Sequence, residues 1–144
     1  MTNYKRILVA LTLSDGRDAA FERGLALAKA SGAELYLLHA VPDTRPFSFR
    51  SAERLRRAAQ LRERATHAGV IARSFEQHGD PAEIIVRHAE ARRVDLVVLG
   101  SERRSAWARF RHRSVAEQVL RRTSRPTLVV PSDVSGTAPH TRAA

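Results

Sequence analysis

Hydrophobic residues along the chain fall into five short runs, separated by longer stretches in which apolar and polar positions alternate with helical spacing. The runs are rich in valine and leucine and are apolar almost throughout, a pattern typical of strands buried on both faces of a parallel sheet. The third run is the least apolar, which predicts a strand towards an edge. The predicted strands are Ile7 to Leu11, Glu34 to Val41, Val70 to Phe75, Val94 to Gly100 and Thr127 to Val130.

The stretches between the runs predict amphipathic helices. Ser14 or Asp15 is available as the N-cap of the first helix, and Gly32 is a natural C-cap. The second helix is rich in arginine and has an apolar face at helical spacing, made of Leu55, Ala58, Ala59, Leu61 and Ala65. The remaining boundaries are Ser51 to His67 for the second helix, Asp80 to about Arg92 for the third, and Ser114 to Thr123 for the fourth.

The regular alternation of strands and helices predicts an α/β protein with a mostly parallel, doubly wound sheet and helices on both faces. The pattern does not specify the order of the strands. Residues 1–131 are expected to form a single domain. Residues 132–144 carry Gly136, Pro139 and small polar residues, a composition that predicts a disordered C-terminal tail.

The composition of the 144 residues, with 43% hydrophobic and 28% charged, is ordinary for a soluble globular protein. No apolar run approaches the roughly 20 residues that a membrane-spanning helix needs, so no membrane association is expected. The chain contains no cysteine, which excludes disulfides and thiolate chemistry. We therefore expect a cytoplasmic protein.

The formal net charge is +10, and every basic residue except Lys5 and Lys29 is an arginine. One explanation for the excess of arginine over lysine is the base composition of the genome. The other is attraction to polyanions, such as nucleic acid or an acidic protein partner. Aromatic residues make up 6% of the chain, which is too few for a base-stacking platform, so the nucleic-acid interpretation has weak support.

Catalytic and metal-binding motifs are missing from the sequence. The six histidines lack the spacing of a zinc-binding helix. Neither a Gly-x-Ser-x-Gly elbow nor a Walker phosphate loop occurs. No metal and no enzymatic activity are expected.

The clearest candidate for binding chemistry lies between Val94 and Pro131. A buried strand ends at Gly100, and after a loop Ser114 begins a helix. Backbone N–H groups at such a helix start attract anions. Ligands also bind where parallel strands end, so this stretch is a candidate anion site.

Four segments of the sequence together resemble the universal stress protein family of the UspA type. They are KRILVAL, LALAKASGAELYLLHAV, HGDPAEIIVRHAEARRVDLVVLGS and RSVAEQVLRRTSRPTLVVP, in this order and spacing. The resemblance covers about residues 4–131. It implies a single-domain sheet of five parallel strands in the order 3-2-1-4-5, and a non-enzymatic role in stress resistance. It also implies a homodimer, formed through the last strand at Thr127, Leu128, Val129 and Val130.

One branch of this family binds ATP through the motif Gly-x2-Gly-x9-Gly-Ser/Thr. Here the spacing is intact, but Arg103 and Arg113 stand where the second and third glycines belong, between Gly100 and Ser114. Thr12 stands where the ATP-binding branch usually has an acidic residue. The resemblance thus implies a nucleotide site that comprises Ala10, Thr12, Val41, Gly100, Ser101, Arg103, Arg113, Ser114 and Val115.

Replacing glycine with arginine has two opposing effects on phosphate binding. It removes the easy access of glycine to positive φ, while it adds a guanidinium group that binds phosphate well. Three hypotheses follow. The first is a dimeric stress-response protein with a degraded ATP motif and no cofactor. The second is a regulatory switch that binds ATP or AMP. The third is a binder of acidic partners or nucleic acid through its arginine surface.

Overall fold

The computed structural model of the chain describes residues 3–13, 18–42, 49–101 and 114–131. A single sheet of five parallel strands has the order β3-β2-β1-β4-β5, which confirms the predicted fold class and strand order. The strands are β1 Arg6–Ala10, β2 Glu34–Val41, β3 Ala72–His78, β4 Leu96–Ser101 and β5 Thr127–Pro131. The described helices are α1 Ala19–Ser31, α2 Phe49–His67, α3 Pro81–Ala91 and α4 Val115–Arg122.

Two apolar cores lie on opposite faces of the sheet, because successive side chains of a strand point in opposite directions. Leu35 and Leu37 of β2 belong to the core beneath α1 and α2. Tyr36 and Leu38 belong to the core beneath α3 and α4. The central strands are buried on both faces, which explains why their sequences are apolar almost throughout.

Helix α1 approaches the sheet closely because of Gly24. A Cβ atom at this position would lie 2.4 Å from Cγ2 of Val9 in β1. The helix ends as predicted at Gly32, which has the left-handed conformation (φ 72°), and its N–H donates to the carbonyl of Ala28. Glycine adopts this conformation without the steric cost that a Cβ carries.

The predicted start of α1 was wrong. Its N-cap is Asp18, whose carboxylate accepts a hydrogen bond from the N–H of Phe21 at 3.0 Å. Ser14 and Asp15 lie outside the described residues. Asp18 directly precedes the first helical residue, so it can reach the unpaired N–H groups of the first turn.

The third strand was also placed too early and ended too soon. β3 pairs with β2 from Leu35↔Ala72 as far as Val41↔His78, so Gln77 and His78, which lie beyond the predicted end at Phe75, belong to the strand. Gly79, with φ 145°, ends it. The expectation of an edge strand is confirmed.

Part of the predicted apolar face of α2 was wrong. Leu55 is 52% exposed and Ala59 is exposed, whereas Ala65 is fully buried. The face that meets the sheet continues from Ala65 towards the start of the helix at spacings of three and four residues, which brings Ser51 and Arg54 inside. Sequence hydrophobicity alone did not identify two polar residues as part of this face.

Within the described ranges, no helix is both long enough and apolar enough to cross a membrane. In the same ranges no group of three or more histidine, cysteine or acidic side chains is arranged to hold a metal ion. The predicted tail, residues 132–144, lies outside the described part of the chain.

Candidate nucleotide site

Three strand ends meet where the direction of chain winding reverses. β1 pairs with β2 on one side and with β4 on the other, and sheets of this topology bind ligands above the ends of the two strands at the reversal point. We call the space above the ends of β1 and β4 the crevice. Ala10 pairs with Leu38, and β2 then continues for three more residues, so Val41 stands beside the β1–α1 loop. The topology therefore brings the predicted residues of β1, β2 and β4 to one edge of the sheet.

The β1–α1 loop forms one wall of the crevice. The N–H of Leu11 still bonds to the carbonyl of Leu38 (2.8 Å), and the N–H of Thr12 donates to the Asp18 carboxylate (3.2 Å). Leu13 has a positive φ of 51° although its side chain is buried. Thr12 is exposed, so this loop presents a hydroxyl at the position where the ATP-binding branch has a carboxylate.

Asp18 fixes the shape of this loop through both of its oxygens. One oxygen accepts the hydrogen bond from Phe21 and the other accepts the one from Thr12. Burial raises the pKa of its carboxyl group, although the backbone hydrogen bonds from Phe21, Thr12 and Leu13 oppose the rise. The hydrogen bonds therefore hold the ionised carboxylate of Asp18 at the N-cap position, although burying its charge costs free energy.

Asp18→Asn should change how stability depends on pH. A carboxyl group with a raised pKa in the folded state binds its proton more tightly folded than unfolded, so its contribution to stability is present below the unfolded pKa and is lost as pH rises through the folded pKa. Asparagine caps a helix about as well and does not titrate. Urea denaturation from pH 4 to 7 should show the stability of the wild type falling relative to Asp18→Asn. A difference that is constant or grows with pH contradicts this assignment.

Val41 ends β2 as a buried residue whose carbonyl is already engaged. The N–H of Gly79, at the end of β3, donates to it at 2.9 Å. This bond holds the ends of two strands together. Val41 therefore offers a fixed apolar surface beside the crevice.

The end of β4 is open above Gly100. A Cβ atom there would meet no described heavy atom within 4 Å, and its pairing partner is Val130 of β5. Ser101, the last residue of β4, is half-buried and pairs with Pro131. The small residue leaves space directly over the sheet at the predicted site.

The start of α4 lies at the same edge of the sheet, because α4 leads from the end of β4 back to the start of the parallel strand β5. Ser114 is the N-cap, as predicted, and its Oγ accepts a hydrogen bond from the N–H of Glu117 at 3.2 Å. Ser114 is exposed, and Val115 is 40% exposed. The first N–H groups of a helix lack partners within the helix, so this end offers donors to an anion.

Arg103 and Arg113 lie outside the described residues, so their part in the site stays a prediction. Sequence reasoning missed Asp18, which acts on the site through Thr12. The signal was present, since an aspartate directly before an apolar helical segment is a typical cap. Nothing in the hydrophobic pattern pointed to the carboxylate also binding the loop before it.

A comparison with known protein families agrees with this fold and site. The model of the universal stress protein family matches residues 3–131 of the chain. The chain belongs to the universal stress protein family. This confirms the resemblance seen in the four segments of the sequence.

Two curated relatives show the extent of the similarity. The universal stress protein MJ0531 of Methanocaldococcus jannaschii is 31% identical, with 88% of this chain and 82% of the relative covered. The universal stress protein YxiE of Bacillus subtilis is 29% identical, with 88% and 99% covered. The similarity thus extends over nearly the whole domain.

Solved structures share the fold. A universal stress protein in complex with cAMP is 27% identical, with a TM-score of 0.67 and coverage of 90% of this chain and 98% of that one. The protein MJ0577 has a TM-score of 0.76 at 23% identity, with 93% and 100% covered. A universal stress protein from Archaeoglobus fulgidus in complex with dAMP has a TM-score of 0.66 at 18% identity, with 90% and 99% covered. The structural neighbours thus include proteins that bind cAMP or dAMP.

Proposed function

We propose that this universal stress protein is a non-enzymatic, cytoplasmic stress-response protein that binds an adenosine monophosphate in the crevice between β1 and β4. The observation that carries the proposal is the geometry at Gly100 and Ser114. The end of β4 at Gly100 has no described heavy atom crowding it, it lies at the reversal point of the sheet, and the capped start of α4 lies at the same edge. The similar protein solved with cAMP supports the choice of ligand.

A single phosphate suits the donors at the start of α4. The Oγ of Ser114 accepts the hydrogen bond from the N–H of Glu117. The O–H of Ser114 can rotate and can therefore donate a hydrogen bond to a ligand. The unpaired N–H groups of Val115 and Ala116 add to it. The negative charge of Glu117, in the first turn of α4, repels an anion, and the repulsion grows with the charge of the ligand. The helix start therefore favours a monophosphate over a triphosphate.

The sequence motif supports the same preference. The ATP-binding branch has glycines where this chain has Arg103 and Arg113. A non-glycine residue at positive φ costs roughly 1–2 kcal/mol, so a backbone cradle for three phosphates is disfavoured here. We infer that the ATP motif is degraded and that ATP binds less tightly than AMP.

The proposed homodimer uses β5. This strand lies at the edge of the sheet, and Thr127, Leu128, Val129 and Val130 are half-buried. An edge strand presents unpaired backbone groups that favour pairing with another chain. Both features support the last strand as the contact between two subunits.

The alternative of an arginine surface for acidic partners has less support. Among the described residues, several arginines already serve the fold through ion pairs. These are Arg64 with Glu22, Arg87 with Glu83, Arg122 with Asp80, and Arg125 with Glu90. Arg92 stacks on the ring of Phe75 at 4.0 Å. These five arginines are therefore engaged within the molecule.

Calorimetric titration with AMP, cAMP and ATP tests the proposal. The wild type should bind AMP with a Kd tighter than ~100 µM, some 5–6 kcal/mol, and ATP more weakly. Ser114→Ala should weaken AMP binding about tenfold, because a hydrogen bond to a charged group contributes roughly 1.5–3 kcal/mol. Ser114→Thr keeps the hydroxyl and the cap and should bind like the wild type. The absence of AMP binding, or equal binding by the alanine variant, refutes the proposed site.

A further inference from the structure

A buried arginine lies near the start of α2, on the opposite face of the sheet from α4. Arg54 is only 8% exposed, and it is one of three buried polar residues in the described part of the chain, with His39 and Ser51. The guanidinium group stays protonated in proteins, so burial cannot be relieved by losing the charge. A buried charge is tolerated when a partner of opposite charge accompanies it.

The buried charge of the Arg54 guanidinium is offset by very few interactions with other groups. Its Nη2 donates to Oγ of Ser51 at 3.1 Å, and its Nε is buried with no hydrogen-bond partner. Among the described residues, no carboxylate lies within 4.0 Å of it. Leaving a buried ion unpaired costs several kcal/mol, so this arrangement calls for an anion.

The guanidinium also points towards a second positive feature. Ser51 precedes Arg54 by one turn, so the hydrogen bond between them directs the side chain back to the start of α2. The N-terminus of a helix carries a partial positive charge. The first turn of α2 has no acidic residue to offset it, whereas α1, α3 and α4 have Glu22, Glu83 and Glu117.

One acidic residue, Glu76 of β3, lies on the face of the sheet beneath α2 and is directed at other groups. It pairs with His39 of β2, and its Oε2 is 3.9 Å from Nδ1 of that histidine. Its Oε1 is 3.2 Å from Nε2 of His78. This carboxylate therefore approaches two histidines and does not form an ion pair with Arg54.

We propose that the start of α2 binds a small oxyanion of the phosphate class against Arg54. A guanidinium group can hold two phosphate oxygens at once, and a helix start, where backbone N–H groups lack partners within the helix, favours an anion. The anion is either free phosphate or the phosphoryl group of a metabolite. The site does not depend on the proposed adenosine monophosphate crevice, because none of its residues comes from β4 or α4.

Thermal unfolding in rising inorganic phosphate, at constant ionic strength set with sodium chloride, tests the site. A ligand that binds only the folded state raises the melting temperature with its concentration. Most of the wild-type response should be lost in Arg54→Met, where only the proposed nucleotide crevice remains to bind phosphate. Arg62→Met, which removes an exposed arginine from the same helix, is the matched control and should respond like the wild type.

Phosphorus NMR provides a measurement that does not depend on the stability of Arg54→Met. The line of inorganic phosphate should broaden with wild-type protein, and Arg54→Lys should weaken the affinity about tenfold, because lysine cannot bind two oxygens in the same plane. Repeating the titration with sugar phosphates distinguishes free phosphate from a phosphoryl group. Absence of any phosphate response in the wild type overturns the proposal.

Discussion

Replacing both Arg103 and Arg113 with glycine should raise the affinity for ATP by about tenfold or more. The double variant restores the full Gly-x2-Gly-x9-Gly-Ser spacing between Gly100 and Ser114. Each glycine removes a cost of roughly 1–2 kcal/mol at a position that needs positive φ. The loss of two guanidinium groups acts in the opposite direction, so the net gain is smaller than the sum. Calorimetric titration of ATP into both proteins measures it.

The matched control is the double alanine variant, Arg103→Ala with Arg113→Ala. It removes the same charge and the same long side chains but keeps a Cβ at both positions. It should gain no affinity for ATP, and AMP binding should change less than threefold in either double variant. An equal gain in both would assign the effect to bulk or charge. No gain in either would place the limit at Thr12 or in the folding of the loop.

Phe21→Ala should reduce the free energy of unfolding by about 3–5 kcal/mol, the largest effect on stability that we expect from one substitution. Phe21 is fully buried in the core beneath α1 and α2. The guanidinium of Arg64 lies 5.2 Å from the centre of its ring, so the substitution also removes a cation–π contact. Much of this loss comes from the cavity left in a close-packed interior.

Urea denaturation of Phe21→Ala and Leu55→Ala measures this difference. Leu55 is also a large apolar residue on a helix of the same layer, but it is 52% exposed. Its replacement should change stability by no more than about 0.5 kcal/mol. Similar losses in both variants would mean that the core beneath α1 does not dominate the stability of the domain.

The pattern of hydrophobic positions was sufficient for the fold class because it reports burial directly, whereas the strand order came from the family resemblance. The strand from Glu34 to Val41 was predicted to the residue, since it is buried on both faces. Two of the errors lie where burial is partial. β3 was predicted too early in the sequence because a strand at the edge of the sheet is only half-buried. Leu55 was assigned to the buried face of α2 because an apolar residue does not reveal which face of its helix packs against the sheet.

The candidate site was only partly readable from the sequence. Gly100 and Ser114 could be found because a glycine after a strand and a serine before a helix each have a local physical reason. The contact of Asp18 with the loop and the burial of Arg54 could not, because they depend on how side chains are oriented in the folded chain. Asp18 accepts a hydrogen bond from Thr12 in the loop before it, and Arg54 lies on the buried face of α2.

The positive φ of Leu13 connects the wall of the crevice to the interior of the protein. A leucine resists this conformation, and the burial of its side chain in the core beneath α1 is what holds it there. The outline of the crevice is therefore enforced by apolar contacts below it as well as by the hydrogen bonds of Asp18. On warming, this wall should keep its shape until the core itself melts.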